Sequence, residues 1–249
     1  MTETGTSATS ADGGGTARGA DADPVSVTFR PTTLSTLVAV SAALFALAAL
    51  EVATADTFLM GSAGVALVTA GLWVAWRWRR LVGVVVGFPG VALVLLAIAG
   101  SWTGVGRAVA FATVAPALLG ALLVTVSLAP GRGEGTRTLL KAGCGVVFLG
   151  VLMAGVGQSA TFDELALATV GIVVAYDAGE TAVNVGEHLG QEASTWRVES
   201  THLAGTAAVG VLTVLLGRAL QGLQTPGLDL GQFAIVLVAV VAFVAVLHE

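Results

Sequence analysis

Eight stretches of almost uninterrupted apolar residues fill the chain from Thr33 onward, and they constrain its folding more than any other feature. They occupy residues 33–52, 57–76, 81–100, 108–129 and 138–157, a stretch beginning near Thr161, then residues 203–220 and 230–247. A helix needs roughly 20 residues to cross about 30 Å of hydrocarbon. Apolar runs of that length also exclude the alternating pattern of an outer-membrane barrel. The expected fold is all-α: a polytopic transmembrane helical bundle of about eight helices, forming a single domain over residues 32–249.

Composition points to the same solvent. Hydrophobic residues make up 55% of the chain and charged ones 11%. A soluble domain carries about 25% charged residues. Apolar surface on this scale needs lipid around it, so the lipid bilayer is the first expected partner. Basic residues are scattered and form no tract, so no nucleic-acid partner is expected. The excess of acids over bases, with a single lysine, suits a high-salt cytoplasm; biased codon usage gives the same Arg/Lys ratio. The lone Cys144 lies inside an apolar run and reads as a small buried hydrophobe.

Residues 1–31 are mostly Gly, Ser, Thr, Ala and Asp. They cannot bury enough apolar area to offset their ordering entropy, and a disordered cytoplasmic tail is expected. The first apolar stretch is followed by Ala53-Thr54-Ala55, which resembles a signal cleavage site. The stretch is longer than a signal peptide's apolar region, so an uncleaved span is expected.

Orientation follows from the basic residues. With eight spans and the N-terminus inside, the inner segments hold Arg18, Arg30, Arg77, Arg79, Arg80, Arg132, Arg137, Lys141 and Arg197, and the outer loops hold Arg107 and Arg218. This bias places both termini in the cytoplasm, as a multi-pass protein of the cell membrane. Trp73, Trp76 and Trp78 beside Arg77, Arg79 and Arg80 read as an interfacial anchor. Gly83 and Gly87 have the spacing that lets helix backbones approach closely. Pro89 and Pro116 fall inside spans and are expected to kink them.

The sixth apolar stretch differs from the rest. Thr161 and Glu164 form a capping-box pattern at its start. Its far half carries Asp177, Glu180, Asn184, Glu187, His188 and Gln191 within an arc of about 100°. Gly179, Ala182, Gly186 and Gly190 occupy the opposite side. Asp177 lies about 20 Å along the axis from Glu164. An ionisable group at that depth costs on the order of 2.5–3.5 kcal/mol unless it is paired, protonated or hydrated.

These polar residues admit several readings. The helix emerges from the membrane near residue 178 and its polar face is solvated. Alternatively, Asp177 and Glu180 pair with Arg197 and fix the hairpin of helices six and seven. A third reading is a metal site. Glu199 and His202 have the i, i+3 spacing that lets a carboxylate and an imidazole share an ion. One such pair falls short of a dinuclear helical site, which supplies two pairs and further carboxylates. No metal or cofactor is therefore expected, and Asp177, Glu180, Asn184, Glu187, His188, Glu199 and His202 stand as one candidate polar site.

The segment Tyr176-Asp177-Ala178-Gly179-Glu180 through Gly186-Glu187-His188-Leu189-Gly190, followed by Trp196-Arg197-Val198-Glu199-Ser200-Thr201-His202, resembles multi-pass membrane proteins of unknown function from halophilic archaea. The resemblance covers the spans but not the first thirty residues. Members of that group are often encoded beside an ATPase of the MoxR type and proteins with a von Willebrand-like domain. The resemblance implies a membrane subunit of an assembly or chaperone-like system. It carries over no catalytic residue.

The chain has no Walker loop, dinucleotide fingerprint, HExxH or GxSxG motif, and no catalytic residues are assigned. Three functions fit the sequence. The first is a membrane scaffold or subunit of a larger complex, with membrane or cytoplasmic protein partners. The second is a small-solute or ion transporter or channel using Asp177 and Glu180. The third is a membrane-embedded metalloenzyme.

Overall fold

The computed structural model describes residues 31–102, 107–130, 135–157, 159–188 and 196–222, and for Arg107, Glu187, His188 and residues 220–222 it describes the backbone alone. These residues form seven helices: α1 (Thr33–Ala48), α2 (Ala55–Arg77), α3 (Arg80–Ser101), α4 (Arg107–Ser127), α5 (Thr136–Val156), α6 (Phe162–His188) and α7 (Trp196–Gly222). Six of them, α2 to α7, are long and apolar enough to cross a membrane. The expected tail up to residue 30 and the expected eighth span, residues 230–247, lie outside the described residues.

α1 is the exception in length. Its 16 residues reach roughly 24 Å, short of the hydrocarbon thickness. The apolar run continues to Val52, but the helix stops at Ala48 because the chain folds inward there. Leu50 is fully buried and Glu51 takes a left-handed φ of 48°. Thr54 then starts α2, its Oγ1 accepting the Thr57 N–H at 3.3 Å. α7 departs from expectation in the other direction. It begins at Trp196, seven residues before the apolar run at Leu203, because its first polar turns face neighbouring helices.

Two hairpins are locked by glycine. In lipid there is no hydrophobic gain from joining apolar helices, so their association rests on close packing and interhelical hydrogen bonds. Between α2 and α3, a Cβ on Gly83 would collide with the Ala75 backbone, and one on Gly64 would lie 2.7 Å from the Gly90 carbonyl oxygen. Between α4 and α5, a Cβ on Gly120 would lie 2.6 Å from the Val147 nitrogen. The Gly83/Gly87 spacing in the sequence thus marks a helix interface within the chain. Pro89 and Pro116 sit inside α3 and α4 without ending them.

α1 is the centre of the bundle. Ala39, Ala43, Ala46 and Leu47 are buried along it, against α6, α4 and α5. Cys144 of α5 joins the same core. α7 lies outermost, resting chiefly on α6 and leaving Val209, Leu212, Leu215 and Leu216 exposed. The helices alternate in direction. One end of the bundle gathers Arg77, Arg79, Arg80, Arg137, Lys141 and Arg197 and is called the arginine-rich face below.

Candidate functional site

The polar site is assembled on α6, and its foundation is the start of that helix. The capping box forms as the sequence dictates. The Thr161 N–H donates to Glu164 Oε2 at 3.0 Å and the Glu164 N–H donates to Thr161 Oγ1 at 3.4 Å. The small side of the helix is buried. Gly171 meets α1 at Ala42 and Ala46, Gly179 meets Leu140 of α5, and Ala178 and Ala182 are fully covered. With that side against α1 and α5, the polar side faces α7 and the edge of the bundle.

Asp177 is tied directly to α7. His202 Nε2 meets its Oδ1 at 3.1 Å, and the Thr206 hydroxyl donates to its Oδ2 at 2.6 Å. Both partners lie on one face of α7, four residues apart, so a single helix surface covers both carboxylate oxygens. At the opposite end of the same hairpin, Arg218 Nε donates to Asp163 Oδ1 at 2.8 Å. The register is consistent along the pair: moving from Asp163 to Asp177 on α6 moves from Arg218 back to Thr206 and His202 on α7. The partner of Asp177 is therefore His202, and not Arg197 as the charge pattern suggested; Arg197 has an exposed side chain.

Glu199 goes elsewhere. It is only 2% exposed, and its Oε2 accepts the Ser35 hydroxyl at 2.6 Å and the Thr32 hydroxyl at 2.8 Å. Both donors belong to the start of α1, where the helix dipole also favours a negative charge. The Thr32 N–H donates in turn to the Ala182 carbonyl of α6 at 3.2 Å. Glu199 and His202, one turn apart, thus face different helices. Their spacing does not bring them onto one ion, and no cluster of three or more metal-ligating side chains occurs among the described residues.

The remaining candidates flank this arrangement. Asn184 Oδ1 accepts from Arg137 Nη2 of α5 at 2.7 Å. Glu180 is half-buried, one turn beyond Tyr176 and within reach of its hydroxyl. Glu187 and His188 close α6, and their side chains lie outside the described residues, as do Gly190 and Gln191. The seven candidates are thus brought together as one end of the bundle, in at least three separate contacts.

Sequence reading missed Thr32, Ser35, Thr206 and the Asp163–Arg218 pair. Thr206 carried one usable signal, its i+4 spacing from His202. Nothing in the sequence distinguishes Ser35 from other hydroxyls in apolar helices.

Beside the Asp177 contact, α6 and α7 leave a cleft of about 530 Å³. Thr169, Val173, His202, Thr206 and Thr213 line it. Thr169 and Thr213 direct their hydroxyls to carbonyls of their own helices, so the cleft presents methyl groups there and the imidazole at one end.

Residues 89–244, more than half of the chain, match a family described only as a family of unknown function, DUF7519. The match contains the α6–α7 hairpin with its polar contacts and excludes α1 and α2. No curated protein and no solved structure matches the chain.

Proposed function

Because the chain belongs to the DUF7519 family, whose description names no activity, we propose from its geometry that it is a membrane-embedded scaffold, a subunit of a larger complex. The observation that carries this reading is how the candidate polar groups are used. Asp177 holds α7, Glu199 holds α1, and Asn184 is held by α5. Ionisable groups placed helix to helix fix one arrangement of the bundle and are satisfied by doing so. The proposed partner surface is the end of α6 at the arginine-rich face, where Glu180 is half-buried and Glu187 and His188 follow in sequence. The charge bias of the loops supports a cytoplasmic position for that face and for both termini, in a cell-membrane protein.

The test is extraction from native membranes into lipid nanodiscs without detergent exchange, followed by particle mass and protein identification. A scaffold runs with other polypeptides and loses them when Glu180, Glu187 and His188 are replaced by Ala, while the bundle stays folded. A particle containing this chain alone, across several gentle extractions, overturns the reading.

A second reading rests on a specific observation. His202 and Thr206 contact Asp177 and also line the α6–α7 cleft, which suits a small-solute or ion transporter with a carboxylate–imidazole pair at its site. Reconstituted vesicles would then show flux that Asp177→Asn and Glu180→Gln abolish. Unchanged flux in both variants removes it.

A further inference from the structure

A second cleft lies outside the α6–α7 hairpin. It opens between α1, α2 and α4, has a volume of about 500 Å³, and is lined by Leu37, Val40 and Leu44 of α1, Ala66 and Ala70 of α2, and Leu128 of α4. That volume is in the range of small-molecule sites, roughly 300–1,000 Å³. Along α2 it runs from Trp76 to Ala66, about 15 Å of helix, which is one leaflet of a bilayer. Its inner wall is mostly apolar, and the hydroxyls of Thr69 and Thr125 there donate to carbonyls of their own helices. Its mouth, at the arginine-rich face, holds Thr33, Trp73 and Trp76.

Among the described residues the exposed charge at the mouth is positive; Glu199, beside the start of α1, is buried under the Thr32 and Ser35 hydroxyls. Arg77 stacks over the Trp73 ring, its guanidinium carbon 5.6 Å from the ring centroid. Arg79 and Arg80 follow in the turn into α3, and all three arginines are exposed. The helices that line the cleft contain one carboxylate, Asp56, and it stands at the opposite end of α2. A largely apolar slot one leaflet deep, capped by aromatic rings and a cluster of exposed arginines, matches one class of ligand.

We propose that this cleft binds a single anionic acyl lipid. One chain occupies the slot between α1, α2 and α4, and the headgroup lies against Arg77, Arg79 and Arg80. Trp73 connects the two parts, because it lines the slot and carries Arg77 on its ring. The arrangement distinguishes a bound lipid from a general attraction to charged membranes, since the slot holds a chain and the arginines select its headgroup. A basic side chain near a membrane surface adds about fivefold to the affinity for an anionic lipid.

The experiment uses the full chain in nanodiscs of phosphatidylcholine containing phosphatidylglycerol with the same acyl chains, released and weighed by native mass spectrometry. The expected result is retention of one phosphatidylglycerol in preference to phosphatidylcholine. Arg77→Gln and Arg80→Gln each lower that preference about fivefold. Ala70→Phe, which fills the slot, abolishes retention of either lipid; Ala66→Leu is the milder variant if the first fails to fold. Inorganic phosphate does not displace the lipid, because the chain contributes to its binding. Equal retention of the two lipids overturns the proposal. So does a preference that survives Ala70→Phe and Ala66→Leu, which assigns the effect to surface charge alone. Lipid entry only after removal of residues 1–30 overturns it as well, and makes the tail the occupant.

Discussion

The Ser35 hydroxyl donates to Glu199 Oε2 at 2.6 Å, joining the first turn of α1 to the first turn of α7 across 164 positions of sequence. Both side chains are buried. A buried acceptor or donor that loses its partner costs about 1–3 kcal/mol. Ser35→Ala leaves Glu199 the Thr32 hydroxyl and is expected to fall at the low end of that range, Glu199→Leu removes the acceptor of both hydroxyls and is expected to cost more, and the double variant is expected to cost less than their sum because Ser35 is no longer there to lose its acceptor. Glu199→Gln keeps an acceptor oxygen and is expected to be milder. Thermal unfolding in a fixed lipid environment measures all four.

The Asp177 contact is open to a double-mutant cycle. Interhelical hydrogen bonds in membranes couple by about 0.6 kcal/mol on average and by about 1.7 at most. Asp177→Asn crossed with His202→Ala, and again with Thr206→Val, is expected to give coupling in that range. Crossing Asp177→Asn with Arg197→Ala is expected to give none. Coupling to Arg197 instead would move the partner of Asp177 away from His202.

Gly83 and Gly87 share one spacing motif and are expected to respond oppositely to alanine. A Cβ on Gly83 collides with the Ala75 backbone, whereas one on Gly87 has its nearest neighbour at 3.8 Å. Gly83→Ala forces α2 and α3 apart and lowers the unfolding temperature. Gly87→Ala fits, and replacing a helical glycine adds up to about 1 kcal/mol. Equal effects of the two substitutions would contradict this packing.

The α6–α7 register is testable by cross-linking. A Cβ on Gly210 would lie 3.6 Å from Val170 Cβ, inside the usual Cβ separation of a disulfide, about 3.5–4.5 Å. In a Cys144→Ala background, Val170→Cys with Gly210→Cys is expected to form an intramolecular disulfide on mild oxidation. Leu59→Cys on α2 with Gly210→Cys is expected not to.

Sequence and structure agree where a property is local. Four helices, α2 to α5, start and stop within a few residues of the apolar runs, because span length is set by hydrocarbon thickness, and α6 starts where its run does. The Thr161–Glu164 box is local too, and it forms. The failures are tertiary. The seventh apolar run begins only at Leu203 because hydropathy scores Glu199 as a polar residue, while Ser35, an unremarkable hydroxyl in sequence, gives it a buried partner. Charge alone offers Arg197 as one possible partner for Asp177. The choice of His202 depends on the α6–α7 register, which the packing of Gly210 on Val170 sets. The end of α1 was placed late because nothing in the apolar run signals that Leu50 turns inward.

The two ends of α7 are held unequally, and that asymmetry governs how the helix can move. At the arginine-rich face Glu199 is buried on α1 and Asp177 takes both His202 and Thr206; at the other end one half-exposed pair, Asp163 with Arg218, does the holding. Water can compete for the exposed pair far more easily than for the buried carboxylate. α7 is therefore mounted like a door, with its jamb at Glu199 and its latch at Arg218. Thermal opening begins at the latch, and the swing widens the α6–α7 cleft from the end opposite His202.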